Sequence, residues 1–248
     1  MLSVERLCLR RGIKLFSRYE LHTVFWHNTT IKLGEGGQGS CVRVFGQGFD
    51  WVVKEYKGDD AYEMLEREVR LLSRVHDVVG VQKLAGVCLD NYTVITHYAG
   101  ADIDNYLDKH GDCANTYVAL VVLPQLARIV KDMASCGVYH NDIKTNNICI
   151  QMTIQGPEVT LIDLGLASTT MPIMEDPLPR DEMHKFPWIA PEVKAGWRSS
   201  LTSETYSVAF VAQDLMTDRM ACLFPAFSRW VDAALSPDPC HRPPITHL

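Results

Sequence analysis

The hydrophobic period of this chain changes at about residue 58, and that change limits the possible folds more than any other feature. IKLGEGGQGSCVRVF (31–45) and DWVVKEY (50–56) alternate or run apolar with β-branched residues around the glycine-bearing FGQGF, and so predict an N-terminal antiparallel sheet. From Asp60 to Val75 the apolar positions Leu65, Val69, Leu72 and Val75 recur at spacings of three and four, which predicts an amphipathic helix. YTVITHY (92–98) returns to strand, Asn115 to Ser135 reads as a largely buried helix, and ICIQ and VTLID form a strand pair around TIQGPE. Residues from Ser203 onward are helical again. Strands first and helices later predict an α+β fold of two lobes.

The chain has 248 residues, 47% hydrophobic and 22% charged, enough for one large domain or two lobes sharing a cleft. A net charge of -6 disfavours sequence-independent nucleic-acid binding. The eight cysteines form no CxxC pair, and neither a secretory segment nor a membrane-length apolar run appears, so an intracellular setting, cytoplasmic or nuclear, is expected. LCLRRGIKLFSR (7–18) carries four basic residues and reads either as a solvated lead-in or as a targeting or membrane-surface element. Residues 1–30 are set apart as an N-terminal extension to a single folded unit.

Several residues carry candidate chemistry. Gly34, Gly36 and Gly39 in GEGGQG lie between two predicted strands, where absent side chains let backbone N–H groups approach phosphate oxygens. A plain glycine-rich hairpin would read the same way. A dinucleotide fold would need a helix after the glycines, and SCVRVF is a strand. Lys54 ends the apolar run WVV and either points to solvent or pairs with Glu68 on the following helix. Asp142 lies in the polar loop HNDIKTNN (140–147), with Lys144 two residues on, and Asp163 ends VTLID. Either acid alone could simply cap a turn. Together, Asn147 and Asp163 could supply hard oxygen ligands to magnesium.

The ordered series GEGGQG, VVK, EVRLL, HNDIKTNN, IDLGLAS and IAPE, from Ile31 to Glu192, resembles the eukaryotic-type protein kinase superfamily. SETYSVAFVAQDL resembles the long buried helix after the activation segment, and LSPDPCHRP resembles the late motif whose arginine pairs with the APE glutamate, here Arg242 with Glu192. The resemblance implies a kinase domain over 31–248, with an N-lobe at about 31–96, a hinge at 97–101 and a C-lobe at about 102–248. It implies ATP and Mg2+ as cofactors and a protein as substrate, and allows a regulatory protein partner. Gly34, Gly36 and Gly39 would cover the ATP phosphates, Lys54 would hold them, and Glu68 would orient Lys54. Cys41 and Val52 would flank the adenine, Thr96 would be the gatekeeper, and His97, Tyr98 and Ala99 the hinge. Asp142 would serve the substrate hydroxyl, Lys144 the γ-phosphate, and Asn147 and Asp163 the metal.

The sequence also departs from the family. Asn141 stands where regulated kinases carry the arginine that docks a phosphorylated activation loop, so activity independent of phosphorylation at Ser168, Thr169 or Thr170 is expected. Gln38 replaces the aromatic common at the glycine-loop tip, and Leu164 replaces the common Phe. TDRMACLFPAFSR (217–229) is too short for the separate helix usual at that point, which with the early stop predicts a truncated C-lobe and suits a virus-encoded or reduced kinase. Lys144 favours serine/threonine specificity, while KFP with Trp188 resembles tyrosine kinases. Two other classes stay open: a pseudokinase scaffold, and a choline-kinase-like small-molecule phosphotransferase.

Overall fold

The computed structural model describes residues 3–36, 39–111, 114–169, 179 and 182–248. Gln38, Cys113 and Thr170 lie outside them. The chain forms two compact units, one of residues 1–77 and 82–98, the other of 78–81 and 99–248. The fold is α+β, with antiparallel strands dominating the first unit and helices the second.

In the first unit, α1 (Val4–Arg11) and α2 (Arg18–His27) precede the main strands, with the two-residue β1 (Lys14–Leu15) between them. Each helix starts on a serine cap, Ser3 and Ser17, and Ser17 forms a reciprocal capping box with Glu20. Then come β2 (Thr29–Gly36), β3 (Gly39–Gly46), β4 (Phe49–Tyr56), α3 (Ala61–Arg74), β5 (Leu84–Cys88) and β6 (Thr93–His97). The expected domain start at residue 31 falls inside β2. The six-stranded sheet has the order β1-β5-β6-β4-β3-β2, and β1 joins β5 in parallel with Lys14 opposite Gly86.

Strand register divides the sheet chemically. Cys41 lies opposite Lys54, and Val52 opposite Thr96, so alternation puts all four on one face. The opposite face presents Val44, Val53 and Ile95, which cluster with Phe16 and Leu21 from the leading segment. The first 27 residues therefore supply the apolar cover for one side of this sheet. Val4 and Cys8 of α1 are fully buried as well.

The second unit begins its secondary structure with β7 (Ala101–Asp102) and α4 (Ile103–His110), which Asp102 caps through its side chain. The long helix α5 (Ala114–Ser135) buries Val118, Val122, Leu126, Ile129 and Met133 along one stripe. β8 (Ile148–Thr153) and β9 (Gly156–Leu161) pair antiparallel and, with β7, form a three-stranded sheet. Among the described residues four α-helices follow: α6 (Pro191–Lys194), α7 (Leu201–Leu215), α8 (Asp218–Leu223) and α9 (Pro225–Ala234). The stretch TDRMACLFPAFSR, expected to be too short for the separate helix usual at that point, holds the six-residue α8, capped by Thr217, and the start of α9. Among the described residues no helix is long and apolar enough to cross a membrane.

Candidate active site

In the first unit, Lys54 on β4 reaches Glu68 on α3, with Nζ 3.3 Å from Oε2. The Glu68 side chain is 3% exposed, so an unpaired carboxylate would be costly there; the Tyr56 hydroxyl donates to the same oxygen. Two donors on one buried carboxylate fix the lysine's direction. This settles the alternative left open for Lys54, since its ammonium is paired.

The glycines differ in what holds them. A Cβ on Gly39 would lie 1.9 Å from the Glu55 carbonyl oxygen, and its φ is +146°, so the β3–β4 pairing itself excludes a side chain. Gly34 would meet nothing within 4 Å. Its missing Cβ is not a packing requirement. Gly36 pairs with Gly39 where β2 turns into β3. On the same face as Lys54, Cys41 and Val52 are partly buried, and Thr96 is buried and accepts a hydrogen bond from Gln82 Nε2 at 2.8 Å. His97 is exposed, while Tyr98 donates its N–H to the Asp50 carbonyl and lies 3.6 Å from the Arg43 guanidinium. Ala99 belongs to the second unit.

In the second unit, the polar loop is folded inward. His140 is fully buried; its Nδ1 accepts from the Asp142 N–H, and its Nε2 pairs with the Ile162 carbonyl at 2.9 Å. Accepting at one nitrogen and donating at the other is the pattern of a neutral ring, and burial pushes its pKa down. The Asp142 carboxylate is held at both oxygens. Oδ2 accepts from Asn147 Nδ2 at 2.8 Å and lies 3.0 Å from Lys144 Nζ, while Oδ1 accepts from Trp188 Nε1 at 2.8 Å.

Asn147 also donates to the Asp142 carbonyl, so its amide nitrogen is committed and its oxygen remains for a cation. Its own carbonyl accepts from the Ile162 N–H at 2.9 Å, one residue before Asp163. That bond brings the loop and the end of β9 together. Asp163 has φ +62° and accepts from the Gly165 N–H at 3.1 Å. Among the described residues no three His, Cys, Asp or Glu side chains form a metal cluster. A hard cation there would rely on Asn147, Asp163 and oxygens of its ligand, a donor set that suits magnesium.

Asn141 also takes up a left-handed backbone, φ +66°, which asparagine tolerates. Its Nδ2 donates to the Tyr139 and Leu166 carbonyls and to Ser168 Oγ at 3.0 Å. The Tyr139 and Ser168 backbones form a two-way bridge beside it.

One residue that sequence reasoning missed completes the loop. Glu204 of α7, 2% exposed, accepts from the N–H groups of His140 at 2.8 Å and Asn141 at 3.0 Å. Burial raises its pKa to about 7. A signal was present, because Glu204 precedes Val208 and Val211 at helical spacing and so sits on the apolar face.

Residues 27–226 match the family of the protein kinase domain. The chain is 28% identical over 88% of its length to wall-associated receptor kinase-like 4 of Arabidopsis thaliana, covering 30% of that protein. It is 24% identical over 85% of its length to mitogen-activated protein kinase 14 of Xenopus laevis, covering 60% of it. Serine/threonine-protein kinase PknH of Mycobacterium bovis is 24% identical over 75% of this chain, with 32% of PknH covered. The chain thus spans about a third to three-fifths of these relatives.

Proposed function

Because the chain belongs to the protein kinase family, we propose that it transfers the γ-phosphoryl group of ATP to a serine or threonine hydroxyl of a protein substrate. The observation that carries this reading is the Asp142 carboxylate, fixed by Asn147 and Lys144 in a buried loop whose backbone brings Asp163 close. In the reaction the acceptor oxygen bonds to the γ-phosphorus as the bond to the β–γ bridging oxygen breaks. ADP leaves with the electron pair, and the hydroxyl proton passes to Asp142.

The first unit supplies phosphate contacts through the Gly34 backbone and the Lys54 ammonium, which Glu68 holds in place. Cys41, Val52 and Thr96 share the Lys54 face and would border the adenine, with His97, Tyr98 and Ala99 as the hinge. The second unit supplies Asp142 for the acceptor and Lys144 for the γ-phosphate. Asn147 and Asp163 would hold magnesium, which when bound neutralises phosphate charge. Serine/threonine specificity is supported by Lys144 and by the names of relatives such as PknH.

Turnover is further proposed to be independent of activation-segment phosphorylation. Asn141 holds Ser168 Oγ by a neutral hydrogen bond, with Ser168 only 8% exposed, and the loop offers no arginine for a phosphate. The domain is read as 31–248, with the first 30 residues as its sheet-covering extension.

The test is phosphate transfer from ATP with magnesium to a basic protein substrate, for wild type, Lys54→Met and Asp142→Asn. Transfer abolished in both variants, with phosphoserine or phosphothreonine as product, is expected. Folded, ATP-binding wild type with no more transfer than the variants would mean a scaffold instead. Ser168→Ala and Thr169→Ala should keep most of the turnover; their inactivity in a folded state would overturn the phosphorylation-independent reading.

A further inference from the structure

Trp188 precedes α6, and its indole reaches back to the loop of Asp142. Its Nε1 donates to Asp142 Oδ1 at 2.8 Å, the oxygen that neither Asn147 nor Lys144 engages. The ring also lies under the Lys144 ammonium, 4.7 Å from nitrogen to ring centroid. One side chain therefore restrains the carboxylate by a hydrogen bond and its neighbouring cation through the π face.

Trp188 is held at its backbone as well as at its ring. The Trp188 carbonyl accepts from Ser207 Oγ of α7 at 2.6 Å, and Phe186 packs edge-on at 5.9 Å between centroids. Ile189 and Ala190 beside it are buried at 2% and 1% exposure, and Lys194 ties down the preceding turn by donating to the Met183 carbonyl at 2.8 Å. A carboxylate on a two-torsion side chain would otherwise sample several orientations. Fixing it before the acceptor arrives removes that reorganisation from the reaction.

We propose that Trp188 is a positioning residue for phosphoryl transfer, orienting Asp142 through its indole N–H and Lys144 through its ring face; this rests on the kinase reading above. Phenylalanine at this position keeps an aromatic face and loses the N–H, whereas histidine keeps a ring N–H.

The experiment compares steady-state transfer to a basic protein substrate by wild type, Trp188→Phe and Trp188→His, with 15N indole spectra of wild type and Asp142→Ala. Trp188→Phe should lower kcat about ten- to a hundredfold, the scale of a hydrogen bond to a charged group, with KM for ATP unchanged. Trp188→His should recover part of that loss. The indole resonance missing from Trp188→Phe should shift in Asp142→Ala. A purely structural tryptophan would instead lower the melting temperature of both ring variants alike and give no recovery by histidine, which would overturn the proposal. An unmoved indole resonance, or unchanged kcat in Trp188→Phe, would overturn it while leaving the kinase reading intact. Wild type without transfer would overturn that reading and the positioning role with it.

Discussion

Arg242 grips Glu192 through both terminal nitrogens, at 2.6 and 2.7 Å, with the arginine side chain fully out of water. The guanidinium also donates to the carbonyls of Ser236, Thr202 and Pro237 and lies 5.0 Å from the Tyr206 ring centre. With its N–H groups so widely engaged, this arginine ties α6 to a segment fifty residues further along the chain.

Breaking that pair strands a buried charge. Arg242→Met or Glu192→Gln should each cost about 3–5 kcal/mol of stability by denaturant unfolding. Replacing both partners by apolar residues of similar volume should recover much of the loss, because no charge is then left without its partner.

Glu204 predicts a pH signature. Its folded pKa of about 7 lies above the ordinary 4.5, so the folded state binds the extra proton and is favoured at low pH. That contribution is full below about pH 4.5 and is lost as pH rises through 7. The stability of wild type relative to Glu204→Gln should therefore fall between pH 5 and 7.5. The difference is the quantity to measure, since buried neutral His140, with its lowered pKa, works in the opposite direction in both proteins.

The leading segment should behave as core. Phe16, 5% exposed, packs where a Cβ on Gly86 would come within 2.4 Å of its ring. Phe16→Ala should cost about 3–5 kcal/mol in chemical denaturation. Gly86→Ala should destabilise too, because the added methyl would also press on the Lys14 carbonyl at 2.9 Å.

Thiol reactivity should follow burial. Desolvation pushes Cys8 up to about 11 and Cys149 up to about 12, whereas Cys222 and Cys240 are exposed. Brief treatment with an alkylating reagent, read by mass spectrometry, should label the exposed pair and leave Cys8 and Cys149 intact until the protein unfolds.

The strands around Lys54 and the helix bearing Glu68 were legible because period-two and period-3.6 patterns stand side by side there, and Glu68 falls on the inward face of its helix. The Arg242–Glu192 pair was legible only through resemblance. β5 was not, since LAGVC holds a glycine and an alanine where strands favour branched residues; Gly86 is there to admit the Phe16 ring. β1 gave no local signal at two residues, and its partner lies far along the chain. The Trp188 contact joins residues 46 apart, which no periodicity can report. The role of Asn141 changed in character: its place in the motif suggested a lost switch, and the structure adds the bonds to Leu166 and Ser168 that occupy its position.

The parallel pairing of Lys14 with Gly86 also sets a timetable for synthesis. Ribosomal output is directional, so Phe16 and Leu21 emerge well before the strand that will shelter them. Until residue 87 has cleared the exit tunnel, Val44 and Val53 can give those side chains only part of their cover, and what stays exposed invites holding chaperones or neighbouring nascent chains. Translational pausing shortly after that point would favour correct closure, and pausing before it would prolong the vulnerable interval.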